Sequence, residues 1–456
     1  MTYIHAWRGC GIRSHEGGDG VGQKTLTFLK IDVIMGDEGR FCARRLNSDD
    51  TERDKIRYNE NITRASKRTA SEEGNMENLL SGYRFQIGEP SPTGMNNAAG
   101  IYQDGTTPMY RDTDGRLWAM SGHTHMGHIA MLCGTCVADL KEAYPIKQNF
   151  CAGHADHAFD GVRYPEGVKA RGSIWPFGLY ICPNTHRFFC FFHNECGWKC
   201  HGTEYDAWGP LDGKSPRFDS DFRHIGMMHS DDEGRTWTFD RWVLSGDCVC
   251  FTELYNPDPQ DVHVLGQKEG IISLGSGDFS CYIDHEEGFF YIFYNVVRVD
   301  MNQGGWDGCD VYVARSRLRD DGTFGDFVKY YNGAFCEAGN FGRETALVKN
   351  SWHARVVYFA PLQCFVMSSV LVSPGPYRKQ LVDDVMYVRT STDMLHWSEP
   401  MAIEKDGKAW GNHYVALCND DAKTQPYFLT EEKFSVLTNH NGTDVMRYPV
   451  KLVERT

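Results

Sequence analysis

From about residue 98 to the end of the chain, apolar residues come in short runs of four to eight, separated by Asp, Gly and Asn turns. Runs of that length bounded by turn residues read as strands, because a helix needs a longer 3.6-residue period. The pattern predicts strands at residues 116–121, 178–182, 188–192, 225–229, 289–297, 311–315, 355–360, 365–371, 385–390 and 427–430. The best helical competitor is the short stretch 137–144. Many short strands with turns between them imply an all-β sandwich, barrel or propeller. Residues 1–95 differ. Gly9 to Gly22 is glycine-rich, and Arg40 to Arg68 mixes both charges with no sustained apolar period. This part reads as an irregular N-terminal extension with some helix around 70–80, and 96–456 reads as the β domain.

Two turns narrow the choice of architecture. Ser230, Asp232, Gly234 and Trp237 fit the Asp-box pattern S-x-D-x-G-x-x-W, and Ser391, Asp393 and Trp397 form a degenerate second copy. The pattern suits a hairpin: the Asp carboxylate accepts backbone N–H bonds across the turn, the glycine takes a left-handed conformation, and the tryptophan packs underneath. Such turns mark outer hairpins of propeller blades. Spacing the strands by them gives five repeats, with inner strands beginning near Asp104, Gly172, Asp278, between Glu344 and Val356, and near Asn412. The expected fold is therefore all-β, a five-bladed β-propeller, closed by a last strand at 445–452.

Several segments resemble a known family. Asp104 to Tyr110 with Asp114 to Thr124, the runs 313–316 and 329–335, and Val385 to Pro400 resemble the five-bladed propeller glycoside hydrolases. The nearest branch is the endo-D-arabinanase-like propellers, with the arabinanase/β-xylosidase group further away. The resemblance covers roughly 98–455. It implies hydrolysis of a polysaccharide or oligosaccharide at the axial mouth, with Asp104 and Asp278 as the carboxylate pair. It also implies that His413 points into the axial channel toward a central ion or water. One departure stands out. That branch has an aspartate after a glycine where this chain has His123.

The residues support such a site independently. A propeller gathers the ends of its inner strands at one mouth, so polar residues distant in sequence converge there. Glycosidic cleavage needs two carboxyl groups, one acid and one base or nucleophile. Asp104 is expected as base or nucleophile and Asp278 as acid, with Glu344 and the Arg171 guanidinium as substrate contacts. Trp175 and Trp410 are expected in mouth loops, offering faces on which sugar C–H groups stack; Trp208 and Trp306 are further candidates. His123, expected also as a catalytic residue, and His125, expected also as a substrate contact, fall on one side of a strand, followed by His128, His154 and His157. With His413 they are candidate ligands for a divalent metal, calcium or a transition metal, near the axis. No organic cofactor is expected.

Charge and length set outer bounds. The net charge of −14 argues against nucleic acid as a partner, since phosphate binding needs clustered Lys and Arg. No apolar run reaches 18 residues, so no membrane-spanning helix is expected. The N-terminus has no signal-peptide pattern, which leaves a cytoplasmic location or a trimmed secreted or periplasmic one. Most cysteines sit singly in apolar runs, as buried thiols do. Cys196, Cys200 and His201 are a weak metal knuckle without a second ligand pair. Three function classes stay open: a glycosidase using a carboxylate pair, a metal- or histidine-dependent sugar deacetylase or polysaccharide lyase, and a glycan-binding propeller without turnover.

Overall fold

The computed structural model describes residues 33–35, 41–43, 76–97, 104–105, 107–124, 129–144, 162–163, 173–195, 223–246, 270–300, 302, 305–373, 375–376, 381–412, 414–419, 423–440 and 444–455. Contacts divide the chain into units of residues 1–61 and 62–456. In the first, Val33–Met35 pairs antiparallel with Phe41–Ala43. The second carries the β domain.

Its strands form five four-stranded antiparallel units in succession. Blade 1 is Met109–Arg111, Leu117–Ser121, Ala130–Gly134 and Lys141–Glu142. Blade 2 is Ser173–Ile181, Phe188–Glu195, Arg223–Ser230 and Trp237–Ser245. Blade 3 is Ile271–Asp284, Phe289–Asp300, Gly305–Arg317 and Val328–Tyr331. Blade 4 is Ser351–Phe359, Cys364–Ser373, Leu381–Ser391 and Met401–Ala402. Blade 5 is Val415–Cys418, Lys433–His440, Asp444–Glu454 and, from the other end of the chain, Tyr83–Ile87. The first strands of consecutive blades from 1 to 5 pack side by side. Blades 5 and 1 meet through Ala416, Cys418, Leu437 and Val445 against Met109, Leu117 and Leu132, which closes the ring of a β-propeller.

The closing pair is the physical lock of the ring. Tyr83–Ile87 lies before residue 96, where the sequence pattern starts the β domain, yet it supplies the outer strand beside the C-terminal one. Backbone bonds between Tyr83–Ile87 and the strand Asp444–Glu454 thus cover an edge that would otherwise be exposed. The stretch 137–144 forms a short 3-10 turn, Val137–Asp139, and a two-residue strand rather than a helix. No helix among the described residues is long and apolar enough to cross a membrane.

Blades packed on both faces make strands buried along their whole length. All eight residues of Phe188–Glu195 are buried. Such strands read as continuous apolar runs without alternation. The described cysteines, including Cys133 and Cys136, are free thiols. Cys196, Cys200 and His201 lie outside the described residues.

The turn at 230–237 shows why its residues are where they are. Asp232 accepts the backbone N–H and hydroxyl of Thr236, at 2.8 and 2.7 Å. Gly234 has φ +86° and donates to the Ser230 hydroxyl. Trp237 is fully buried, with its indole N–H on the Gly234 carbonyl. The 391–397 turn repeats the scheme, with Asp393 accepting two backbone N–H groups and Trp397 donating to Met394. Trp237→Ala should lower stability by ~3–5 kcal/mol, the usual effect of emptying a buried aromatic site. Equilibrium denaturant unfolding measures it; a loss under about 1 kcal/mol would contradict the packing role.

Candidate active site

Every blade sends a polar or aromatic side chain to one cluster on the propeller axis. Asp104 comes from the segment leading into blade 1. Trp175 lies on the first strand of blade 2, and His193 and Glu195 on its second. Arg223 opens the third strand of blade 2. Asp278 is on the first strand of blade 3, Trp352 and His353 on that of blade 4, and Tyr414 just before that of blade 5.

Asp278 departs from the expected position. The glycine-rich Gly275–Asp278 stretch does not precede the strand but lies inside Ile271–Asp284. The register with the next strand shifts there, and Asp278 itself has φ +32°. A bulge of this kind redirects a side chain, and left-handed backbone at a non-glycine residue is strain that surrounding contacts must hold. The same device recurs at His353, with φ +53° and a register shift between Trp352 and Arg355.

The contacts that hold Asp278 are numerous. Its backbone N–H donates to His193 Nδ1 at 2.6 Å, and the Trp352 indole donates to its Oδ2 at 2.9 Å. Arg223 Nη1 is 3.5 Å from Oδ2. Glu195 accepts from the same guanidinium at 3.1 Å and meets His193 Nε2 at 3.1 Å. A pairing of Arg223 with Gly275 brings blades 2 and 3 together at this point. Gly277 permits the crowding: a Cβ there would lie 2.8 Å from His193 Cε1 and 3.0 Å from Arg223 Cδ.

Asp104 has a different setting. Tyr414 and Trp175 donate to its two oxygens, the indole at 3.3 Å. Gly105 has φ +127°, and a Cβ on it would strike the Phe177 ring at 2.3 Å, so glycine lets the Asp104 segment lie on blade 2. Trp175 is in turn stacked on His123, at 5.2 Å between rings and 12° between planes. Tyr414 meets the His353 ring edge-on at 4.4 Å.

These surroundings push the two carboxyls apart. Burial works to raise Asp278, but the imidazoles of His193 and His353, the Arg223 guanidinium and the Trp352 N–H outweigh it and hold the group below its ordinary range. The Arg223 charge and the Trp352 donor act whatever the protonation of the two histidines. Glu195 is also held down, burial being outweighed by Arg223 and His193. Asp104 moves the other way. It is exposed as a residue, yet desolvation dominates at its carboxyl, with the negative charges of Glu195 and Asp278 adding to it. The donors Tyr414 and Trp175 oppose this and do not cancel it.

Of the residues expected from sequence, the structure brings together Asp104, Asp278, Trp175 and, behind Trp175, His123. Trp175 is in a strand and buried rather than in a mouth loop. Glu344 is committed elsewhere: its Oε2 pairs with the fully buried Lys329 at 2.7 Å and accepts from Tyr294 at 2.7 Å. Trp410 packs edge-on against Tyr448 of blade 5. Trp306 is buried against Trp352, at 4.8 Å between rings. Arg171, His125, His128, His154, His157, Trp208 and His413 lie outside the described residues. Among the described residues no group of three or more His, Cys, Asp or Glu side chains is arranged to hold a metal. Of the described carboxylates in the cluster, Glu195 and Asp278 face Arg223 and Asp104 faces Tyr414 and Trp175, while His125 and His413, expected as ligands, lie outside the described residues.

Glu344→Gln should therefore act on stability, by ~3–5 kcal/mol, because it leaves the Lys329 charge buried without its partner. Turnover should be unchanged. A variant of wild-type stability with weakened substrate binding would return Glu344 to the mouth.

Glu195, His193, Arg223, Trp352, His353 and Tyr414 were not anticipated. One signal was available: His193 and Glu195 are two apart at the end of an apolar run, the spacing that places two side chains on one face of a strand.

No protein-family model matches the chain, and no curated protein matches it. Solved structures do show likeness in strand arrangement. A family 117 glycoside hydrolase from the marine bacterium Zobellia galactanivorans is 8% identical, with 82% of this chain and 92% of that one covered, at a TM-score of 0.44. An α-L-arabinofuranosidase from Lactobacillus brevis is 12% identical, with 76% and 91% covered, at 0.39. The α-L-arabinanase of Penicillium chrysogenum, complexed with arabinobiose, is 10% identical, with 83% and 99% covered, at 0.37. Likeness at this level carries no argument about activity, which must come from the site.

Proposed function

We propose that the protein is a glycoside hydrolase acting on a polysaccharide or oligosaccharide at the axial mouth. The observation that carries this reading is the pair of carboxyl groups gathered in one cluster, Asp104 held by Tyr414 and Trp175 and Asp278 by Arg223 and Trp352, with burial raising the first and its neighbours lowering the second. Two acids tuned apart are what acid–base cleavage requires, one arriving protonated and the other ionised.

The expectation from sequence gave Asp104 the base's part and Asp278 the acid's. Their surroundings favour the reverse. Asp104, raised and at the open side of the cluster, is the proton donor to the glycosidic oxygen. Asp278, ionised and fixed by Arg223, Trp352 and His193, faces the anomeric carbon. In the water-mediated form the C–O bond breaks as Asp104 gives its proton to the leaving oxygen. Water bonds to the anomeric carbon and gives its proton to Asp278. In the covalent form Asp278 attacks the carbon directly and water later releases the sugar. Trp175 and Tyr414 hold Asp104, while His123 supports Trp175 from behind.

The test is incubation of the purified protein with a panel of plant, microbial and host polysaccharides, with detection of new reducing ends. Reducing sugar released by the wild type and not by Asp278→Asn supports the reading. Tight binding without products would make the propeller a glycan-binding module. Unsaturated uronate or released acetate would make it a lyase or a deacetylase.

A further inference from the structure

Two to four residues further along the same inner strands lies a cavity of about 20 Å³. Pro108, Phe177, Leu179, Ser280, Arg355 and Tyr427 line it. Arg355 is 7% exposed. Its Nη1 donates to the Thr107 carbonyl at 3.0 Å. Among the described residues no carboxylate meets this guanidinium. The ionisable groups near enough to act on it are the thiols of Cys281 and Cys418, and burial pushes the Cys281 thiol far up, so it is neutral. The neighbouring hydroxyls are engaged elsewhere: Ser280 donates to the Ala354 carbonyl, and Tyr427 bonds His285.

A buried cation without a counter-charge is strongly unfavourable unless something supplies one. A guanidinium has five N–H donors, and one bond to Thr107 leaves others facing the cavity. The cavity has room for one small sphere, since a single water needs ~10–15 Å³ on the same measure. It is too small for sulfate, phosphate or a sugar carboxylate. We propose that this cavity binds one monatomic anion, chloride, against Arg355. The site stands apart from the glycosidase reading. It has a structural consequence for it all the same, because Arg355 pins Thr107, three residues after Asp104.

The experiment compares melting of the full chain in chloride and in gluconate at equal ionic strength, and collects anomalous diffraction from crystals grown in bromide. Chloride should raise the melting temperature by ~2–4 °C and then plateau, as ligand binding to the folded state does. Bromide should give one anomalous peak beside Arg355. Arg355→Met should lose both effects. If that variant does not fold, the two wild-type measurements decide alone. Equal melting in the two salts, no bromide peak at Arg355, or chloride dependence that survives in Arg355→Met overturns the proposal. A peak without chloride-dependent melting marks an adventitious ion only and also overturns it.

Discussion

Asp278→Asn is expected to lower kcat/KM by at least ~10²–10⁴-fold, the range for loss of a positioned acid or base, while the ring stays folded. The fold should tolerate it because Arg223 keeps Glu195 and because the bond from position 278 to His193 is made by the backbone. Acid stability should change in a defined window. The Asp278 carboxyl is depressed from 3.8 to about 2 in the folded chain. It therefore contributes stability that is fully present above its unfolded value and lost as pH falls through the folded one. The stability gap between wild type and variant should be constant near neutrality and shrink between about pH 4 and pH 2. Urea unfolding across that window measures it. A gap that instead grew on acidification would mean that Asp278 is not held ionised.

Asp104→Asn is expected to cost a similar ~10²–10⁴-fold on natural linkages, through loss of the proton donor. Its pH signature should differ. In the wild type kcat/KM falls as pH rises through the Asp104 value, because the acid is then spent. That value is raised, so the alkaline limb should lie above the ordinary carboxylate range. Asp104→Asn has no such proton to lose, and its alkaline limb should disappear. A variant that keeps the limb would assign it to another group.

The architecture was legible because turns and short apolar runs report strands directly. Nine of the ten predicted runs fall on blade strands, and the tenth, 427–430, overlaps Phe428–Leu429, a two-residue strand paired parallel with Ser351–Phe359 of blade 4. Asp104 and Asp278 stand out in the sequence because each lies beside glycines, and the structure brings both to one cluster, although Asp278 lies inside its strand and not before it. The partners that tune them do not stand out. Glu195, Arg223 and His193 sit in strands buried on both faces, where a polar residue breaks no alternation because there is none to break. The turn of Asp278 into the site comes from a bulge and a positive φ, and neither has a period that a sequence displays. The setting of Glu344 was hidden for a related reason: its partner Lys329 lies fifteen residues earlier, inside the strand Val328–Tyr331, and no local pattern links the two. The closing strand at 83–87 pairs with residues more than 350 positions away, a contact that local patterning does not encode.

The most direct test of the Asp104 and Asp278 roles uses leaving groups. Aryl glycosides with a 2,4-dinitrophenyl leaving group need no proton at the departing oxygen, so a lost acid matters little for them, whereas a lost base or nucleophile still does. On a panel of such glycosides, Asp104→Asn should recover most of the wild-type rate, and Asp278→Asn should stay inactive. Recovery by Asp278→Asn with none by Asp104→Asn would reverse the two roles. Full activity of both variants on natural and activated substrates alike would remove the pair from the chemistry altogether.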